Sequence, residues 1–243
     1  MPNNKNLIGV LYIVATPIGN LEDLGFRALR IFKEVDLIVC EDTRQTIKLL
    51  NHFEIKKPLV SYFQHSKLSK VEYIAEQLAA GKKVALVTDA GTPGISDPGG
   101  ILVNKLTSEQ GNKENFNIKI IPIPGPNAAV AALSVSGFPT DKFVFMGFPP
   151  HKKRRQKFFD EVMQTKYTVV FYESCHRILR AMDDLKLAFI RAQIREDSRQ
   201  LVVCRELTKM FESIYRGSAE EIIKILESDK NNLRGEFVVM IHE

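Results

Sequence analysis

Apolar and polar positions along the chain follow two alternating periods. Residues 11–14 form a short apolar run that predicts a strand, and Leu21, Leu24, Ala28 and Phe32 then recur at helical spacing. The pattern continues: 36–40 is strand-like, 45–53 helical, 59–63 strand-like, and 70–80 helical with Gly81 placed as its C-cap. Residues 84–87 then read as a buried strand. Strands and helices in this order predict a mostly parallel sheet with helices on both faces.

The most polar stretch of the first half, 108–117, predicts a surface loop, and the strand 118–123 follows it. A domain boundary is expected there, giving an N-terminal domain 1–121 and a C-terminal domain 122–243. The second domain repeats the alternation. A helix is predicted from 127, a strand at 143–148, a basic helix from 152, a strand at 168–172, a helix from 176, a strand at 201–204, a helix at 219–226 and a last strand at 236–241. The expected fold class is α/β, with two α/β domains.

Composition narrows this picture only slightly. The 243 residues are 44% hydrophobic and 26% charged, the balance of an ordinary globular protein. No apolar run approaches the roughly 20 residues that span a bilayer, so membrane insertion is not expected. The opening residues 1–20 read as a first strand rather than a cleaved leader, which implies a cytoplasmic protein. The three cysteines, Cys40, Cys175 and Cys204, form no CxxC pair, so neither a metal site nor a disulfide framework is signalled. A net charge of +5 favours polyanionic partners without demanding them.

Candidate chemistry gathers at the ends of strands. Between Asp89 and Gly100, six of twelve residues are Gly or Pro, directly after the strand 84–87. Ligands of open α/β sheets bind beyond the carboxyl ends of strands, and glycines there let a ligand approach the backbone. Ser96 or Asp97 can cap the next helix with Pro98 at its first position, and a plain strand-to-helix connection is the alternative reading. Neither a Walker A loop nor GxGxxG is present, and the loop has no Lys or Arg, which suits a ligand without a phosphate chain. Two more Gly/Pro loops, 15–20 and 122–127, also follow strands, so the three can converge on one cleft.

Polar clusters follow other strands: Asp42 and Arg44 in CEDTR, Glu173, His176 and Arg177 in FYESCHR, and Arg205, Glu206 and Lys209 in CRELTK. Each reads either as chemistry or as caps and ion pairs, with Ser174 a natural N-cap. The run 151–157 carries five cations, Lys152, Lys153, Arg154, Arg155 and Lys157, before Phe158 and Phe159. It is either a solvated helix face or a contact for an RNA backbone.

Taken in order, ATPIGNLEDL, CEDTR, ALVTDAGTPGISDPG, IPGPNAAVAALSVSG, FYESCHR, CRELTK and GEFVVMI cover almost the whole chain. In these motifs the chain resembles the tetrapyrrole methylase superfamily, and within it the branch that methylates the ribose 2′-hydroxyl of a cytidine in the decoding region of 16S rRNA. The resemblance implies S-adenosyl-L-methionine as methyl donor, folded into a cleft between the two domains. By this correspondence Pro17, Ile18 and Gly19 form the first cofactor loop and Thr92, Pro93, Ile95 and Ser96 the second. Ala128 and Ala129 open the first helix of the second domain, and Phe171 approaches the adenosine. The proton acceptor or ribose-orienting group is sought among Asp42, Glu173, His176 and Glu206. Arg44, Arg177, Arg205, Lys209 and the basic run would meet phosphate. The implied partner is 16S rRNA or the 30S subunit, bound by a homodimer without a metal. Members of that branch usually carry Pro where Cys175 stands, and some a C-terminal extension beyond GEFVVMI, so the second domain and the core RNA groove are expected to supply the RNA contacts. A corrinoid-precursor methylase and a non-catalytic RNA-binding protein are the alternatives.

Overall fold

The computed structural model describes residues 8–63, 68–107 and 118–243, and the chain divides into two units, Met1–Asn127 and Ala128–Glu243. The expected loop at 108–117 lies outside the described residues.

In the first unit the strands are β1 (Gly9–Val14), β2 (Leu37–Cys40), β3 (Leu59–Ser61), β4 (Lys83–Leu86) and β5 (Ile118–Ile123). They form one sheet in the order β3-β2-β4-β1-β5, and every pairing is parallel. The helices α1 (Phe26–Glu34), α2 (Thr43–His52), α3 (Leu68–Ala79) and α4 (Gly99–Thr107) are interleaved with the strands. An all-apolar strand such as β2 feeds two cores at once, because successive side chains leave opposite faces. Ile38 and Cys40 pack with Ala28, Ile31 and Phe32 of α1, whereas Leu37 and Val39 pack with Ile74 and Leu78 of α3 and Leu102 of α4. Gly81 ends α3 as expected, at φ +79 with its N–H on the Leu78 carbonyl.

The division between units falls at 127/128 rather than 121/122. β5 pairs with β1 along its full length, through Val14 opposite Ile123, and a boundary at 121/122 would cut a hydrogen-bonded strand.

The second unit is built on β6 (Phe143–Phe145), β7 (Thr168–Ser174), β8 (Gln200–Arg205), β9 (Ser213–Gly217) and β10 (Glu236–His242), in the order β6-β7-β10-β8-β9. Only β6 and β7 are parallel; the other three pairings are antiparallel. Helix α5 (Ala128–Ser136) covers one face, against Val170, Val202, Cys204, Val238 and Met240. Helices α6 (Arg155–Gln164), α7 (Ile178–Ala192) and α8 (Ala219–Ser228) cover the other, against Val169, Phe171, Val203, Phe237 and Val239.

Several elements differ from expectation at their ends. Arg154 adopts a left-handed conformation (φ +67) and helix α6 starts after it, so most of the basic run lies in the preceding turn. α7 starts at Ile178, after a turn that holds His176. β6 stops at Phe145, two residues before Gly147 at φ +65. β9 was not expected, because SIYRG lacks a sustained apolar alternation.

All three thiols are free: Cys40 and Cys204 are fully buried and Cys175 is partly exposed. Burial pushes the Cys40 thiol up and the Cys204 thiol up to about 11.

Candidate active site

The three Gly/Pro loops of the first unit are fastened to one another. Thr16 and Gly91 exchange backbone hydrogen bonds, Thr16 N to Gly91 O at 2.9 Å and Gly91 N to Thr16 O at 3.1 Å. The buried Thr16 hydroxyl donates to the Thr88 carbonyl at 3.2 Å, which ties the first loop to the end of β4. The Thr92 hydroxyl donates to the Pro126 carbonyl at 2.9 Å, and Ala15 N donates to Ile123 O at 3.3 Å, which brings in the third loop. Gly91 sits at φ +83, and a side chain at Gly125 would bring its Cβ within 2.9 Å of the Ala15 Cβ. These two glycines are required by conformation and by close approach.

Within the second loop Asp97, not Ser96, does the capping. Its carboxylate accepts from Gly94 N at 2.8 Å and from Gly99 N at 2.6 Å, closing the turn that leads into α4. Ser96 is exposed at φ +63. Of the expected cofactor contacts, Pro17 and Pro93 are buried under the loops, Ile18 and Thr92 are partly covered, and Gly19, Ile95 and Ser96 are exposed.

Three carboxylates surround the base of these loops, and their neighbours give them different acidities. Asp42 caps α2 by accepting from Arg44 N at 2.8 Å, and it grips the Arg44 guanidinium at 3.0 Å (Nε) and 2.7 Å (Nη2). The Arg44 side-chain hydrogen bond, with the backbone one, holds this carboxyl down to about 2. Asp42 is therefore an N-cap and ion-pair partner too weakly basic to take a proton at neutral pH, and Arg44, although exposed, is engaged with it. Glu41 accepts from the Thr88 hydroxyl at 3.2 Å. Burial pushes its pKa up, and the negative charge of Asp89 adds to this. Asp89 accepts from Asp42 N at 3.0 Å; burial raises its pKa against the opposing effect of that hydrogen bond. Carboxylates at the base of loops without Lys or Arg fit a cationic ligand such as a sulfonium and disfavour a phosphate chain. The residues present thus suit S-adenosylmethionine.

In the second unit many of the expected functional side chains are structural. Glu173 on β7 is 1% exposed; it accepts from Arg177 Nη2 at 2.9 Å, from both terminal nitrogens of Arg155 at 3.4 Å, and from Ser174 N at 2.8 Å. Glu173 is thus an enclosed ion-pair partner rather than a group open to a substrate. Arg155, 3% exposed, also donates to Asp184 at 2.6 Å and to the Pro150 carbonyl at 3.2 Å, so it is not available to RNA. Arg177 is spent on Glu173 and on the Pro149 carbonyl at 3.1 Å. Arg205, 6% exposed, donates to the carbonyls of Arg234 (2.7 Å), Phe211 (2.9 Å) and Asn231 (2.6 Å) and stitches three segments together. Glu206 accepts from Lys209 at 2.8 Å and from Glu236 N at 3.0 Å, and Lys209 also reaches Glu236 at 2.8 Å. Burial raises the Glu206 pKa, but these bonds outweigh it and leave the group below its ordinary value. His176 is exposed in its turn, with no hydrogen bond among the described residues. Ser174 caps no helix; it accepts from Arg177 instead.

Phe171 is fully enclosed between Phe158 and Phe159 and cannot meet a nucleoside. Its neighbour Tyr172 leaves the opposite face of β7, where its hydroxyl accepts from Ala129 N at 3.1 Å, at the start of α5. Ala129 itself is buried and Ala128 partly exposed. The cations that remain exposed are Lys152, Lys153, Arg154 and Lys157, and among the described residues none is paired with a carboxylate.

Comparison with known proteins decides what frame this is. Residues 10–223 match the family of Tetrapyrrole (Corrin/Porphyrin) Methylases. The chain belongs to the tetrapyrrole methylase family. Within it, the chain is 47% identical to the Ribosomal RNA small subunit methyltransferase I of Halalkalibacterium halodurans, over 96% of this chain and 75% of that protein. It is 42% identical to the protein of the same name from Bacillus subtilis, over 98% of this chain and 77% of the relative. Among solved structures, a cobalt precorrin-4 methyltransferase of cobalamin biosynthesis superposes with a TM-score of 0.66 at 17% identity, over 100% of this chain and 97% of that one. The methyltransferase CobJ superposes with a TM-score of 0.68 at 17% identity, over 97% and 94%. Those likenesses establish the tetrapyrrole methylase fold for both α/β units.

Against this tetrapyrrole methylase frame, sequence reasoning passed over Glu41, Thr16, Thr88 and Tyr172. Glu41 was detectable, since it is the first polar residue after the apolar strand that ends at Cys40. Tyr172 was detectable from alternation along β7, which places it opposite Phe171.

Proposed function

We propose that the chain transfers a methyl group from S-adenosyl-L-methionine to the ribose 2′-hydroxyl of a cytidine in the decoding region of 16S rRNA. It would act in the cytoplasm, as a homodimer, on 16S rRNA or the 30S subunit. The reading is carried by one observation: identity of 41–47% over 96% or more of the chain to proteins named Ribosomal RNA small subunit methyltransferase I.

The cofactor supplies, when bound, an electrophilic methyl on a sulfonium. Pro17, Ile18 and Gly19 with Thr92, Pro93, Ile95 and Ser96 would hold it through backbone groups, since these residues bring no charge. Fixing a hydroxyl in line with the methyl is the larger part of the task, and positioning of this kind supplies about 7 to 11 kcal/mol. Glu41 is the best proton acceptor among the named carboxylates. Thr88 orients one of its oxygens, and its raised pKa makes it a stronger base than Asp42. Lys152, Lys153, Arg154 and Lys157 would hold the phosphate backbone.

The test is a labelled-methyl transfer assay offering 30S subunits, naked 16S rRNA and a tetrapyrrole side by side. Label is expected in 16S rRNA, in a nucleotide whose 3′ linkage resists alkaline hydrolysis because its 2′-oxygen is blocked. Label in the tetrapyrrole alone would sink the reading. No binding heat with S-adenosylmethionine or S-adenosylhomocysteine would favour a non-catalytic RNA-binding protein.

A further inference from the structure

We infer that Glu173 is a positioning residue for the RNA interface: through Arg155 and Arg177 it latches the turn that presents Lys152, Lys153 and Arg154. This rests on the proposed reading of that turn as an RNA contact. The latch is one buried carboxylate serving two guanidiniums. Arg177 binds Glu173 at 2.9 Å and holds the Pro149 carbonyl at 3.1 Å. Arg155 binds Glu173 at 3.4 Å and holds the Pro150 carbonyl at 3.2 Å. The two carbonyls so gripped are consecutive, and the basic turn begins at the next residue, His151.

The turn is also set at its other end. Arg154 is left-handed at φ +67, a conformation that costs a non-glycine residue energy and persists only where its surroundings impose it. The next residue is Arg155 itself, anchored by Asp184 at 2.6 Å and stacked over Phe159 at 5.2 Å from the ring centre. The cations of the turn are thus exposed on a segment whose backbone is fixed before and after them by the same buried network. Holding a phosphate-binding backbone in place before the partner arrives lowers the ordering cost of binding. Glu173 meets no substrate in this arrangement. It neutralises the two arginines that do the gripping.

The experiment compares the full chain with Glu173→Gln, with K152A/K153A/R154A, and with the two combined. Because Glu173→Gln removes the carboxylate partner of Arg177 and leaves Arg155 with Asp184 alone, the charge-balanced E173Q/R177Q is made alongside, and urea titration confirms which variants are folded. Two readouts are used: the rate of tryptic cleavage after residues 152–155 in the variants that keep those cations, mapped by mass spectrometry, and the salt dependence of binding to a 16S rRNA transcript in all of them. The expected result is faster cleavage confined to the turn, RNA binding on the order of tenfold weaker with a flatter salt slope, and no further loss when Glu173→Gln is added to the triple variant. S-adenosylhomocysteine binding stays within about twofold of the parent, since the partners of Glu173 are Arg155, Arg177 and Ser174 and none of them is a cofactor residue. Wild-type cleavage and wild-type RNA affinity in the folded Glu173 variants would overturn the latch while leaving the RNA reading intact. A triple variant with an unchanged salt slope would overturn the reading itself and the inference with it.

Discussion

Glu41 and Asp42 are adjacent in the chain and opposite in acid strength. Arg44 holds Asp42 down to about 2, whereas burial and Asp89 hold Glu41 above its ordinary value of 4.5. If Glu41 takes the ribose proton, turnover rises with pH through an acid limb whose midpoint lies above 4.5. Glu41→Gln is expected to remove that limb and lower kcat about a hundredfold, the usual scale of a lost general base. Asp42→Asn, which keeps a competent cap, is expected to leave the limb in place. The same shifts have opposite signs in stability. Asp42 contributes stability that is present above pH 3.8 and lost as pH falls towards about 2. Glu41 and Asp89, with raised pKa values, lose native-state stability as pH rises from 4.5 and 3.8 respectively through those raised values. Arg205 makes a different point. Its three carbonyl partners lie on two separate segments, so Arg205→Ala leaves several buried acceptors unpaired and is expected to destabilise the protein by about 3 kcal/mol. Urea titration measures this, and the salt slope of RNA binding should not change.

At the scale of elements, strands carry the fold and their ends carry the chemistry. α5 starts against Tyr172, whose hydroxyl accepts an N–H that the first helical turn leaves over. Tyr172→Phe is expected to cost about 1 kcal/mol, read as a lower urea midpoint at constant m-value. The strands with uninterrupted apolar runs, β2, β8 and β10, were legible in the sequence, as was the glycine stop of α3. They depend on local period and local turn chemistry alone. The helical pattern from 152 was misleading, because the turn before α6 is imposed by Arg155 reaching Glu173, 18 residues away, and Asp184, 29 residues away. No local window contains that information. Asp42, Glu173 and Glu206 were legible as candidates but not in their roles: Glu173 is set by Arg155, 18 residues away, whereas the neighbouring Glu41 is set by burial and by Asp89, 48 residues on. β9 escaped because an edge strand of mixed polarity gains its regularity from β8 and not from its own pattern.

At the scale of the molecule, the +5 net charge is less informative than its distribution. Many of the arginines that sequence reasoning assigned to RNA are consumed internally, which leaves the turn before α6 and Lys157 as the exposed unpaired cations of that set. Neutralising Lys152, Lys153 and Arg154 takes the net charge from +5 to +2. It should lower the slope of log affinity against log salt by about 2 to 3, at roughly 0.7 to 0.9 per phosphate contact. The loss should be similar for RNAs of unrelated sequence, because phosphate contacts carry no base information.

The placement of the three thiols gives the molecule its own unfolding reporters. Cys40 lies in the first unit and Cys204 in the second, both fully buried and both with raised pKa values, while Cys175 is partly exposed in the turn after β7. Thiolate is the form that alkylates, so a native molecule offered iodoacetamide at neutral pH should be modified at Cys175 first. Modification of Cys40 and Cys204 then waits for the sheet around each to open. Peptide mass mapping across a denaturant series would follow the opening of each unit at its own residue, in an unmutated chain, without any added label.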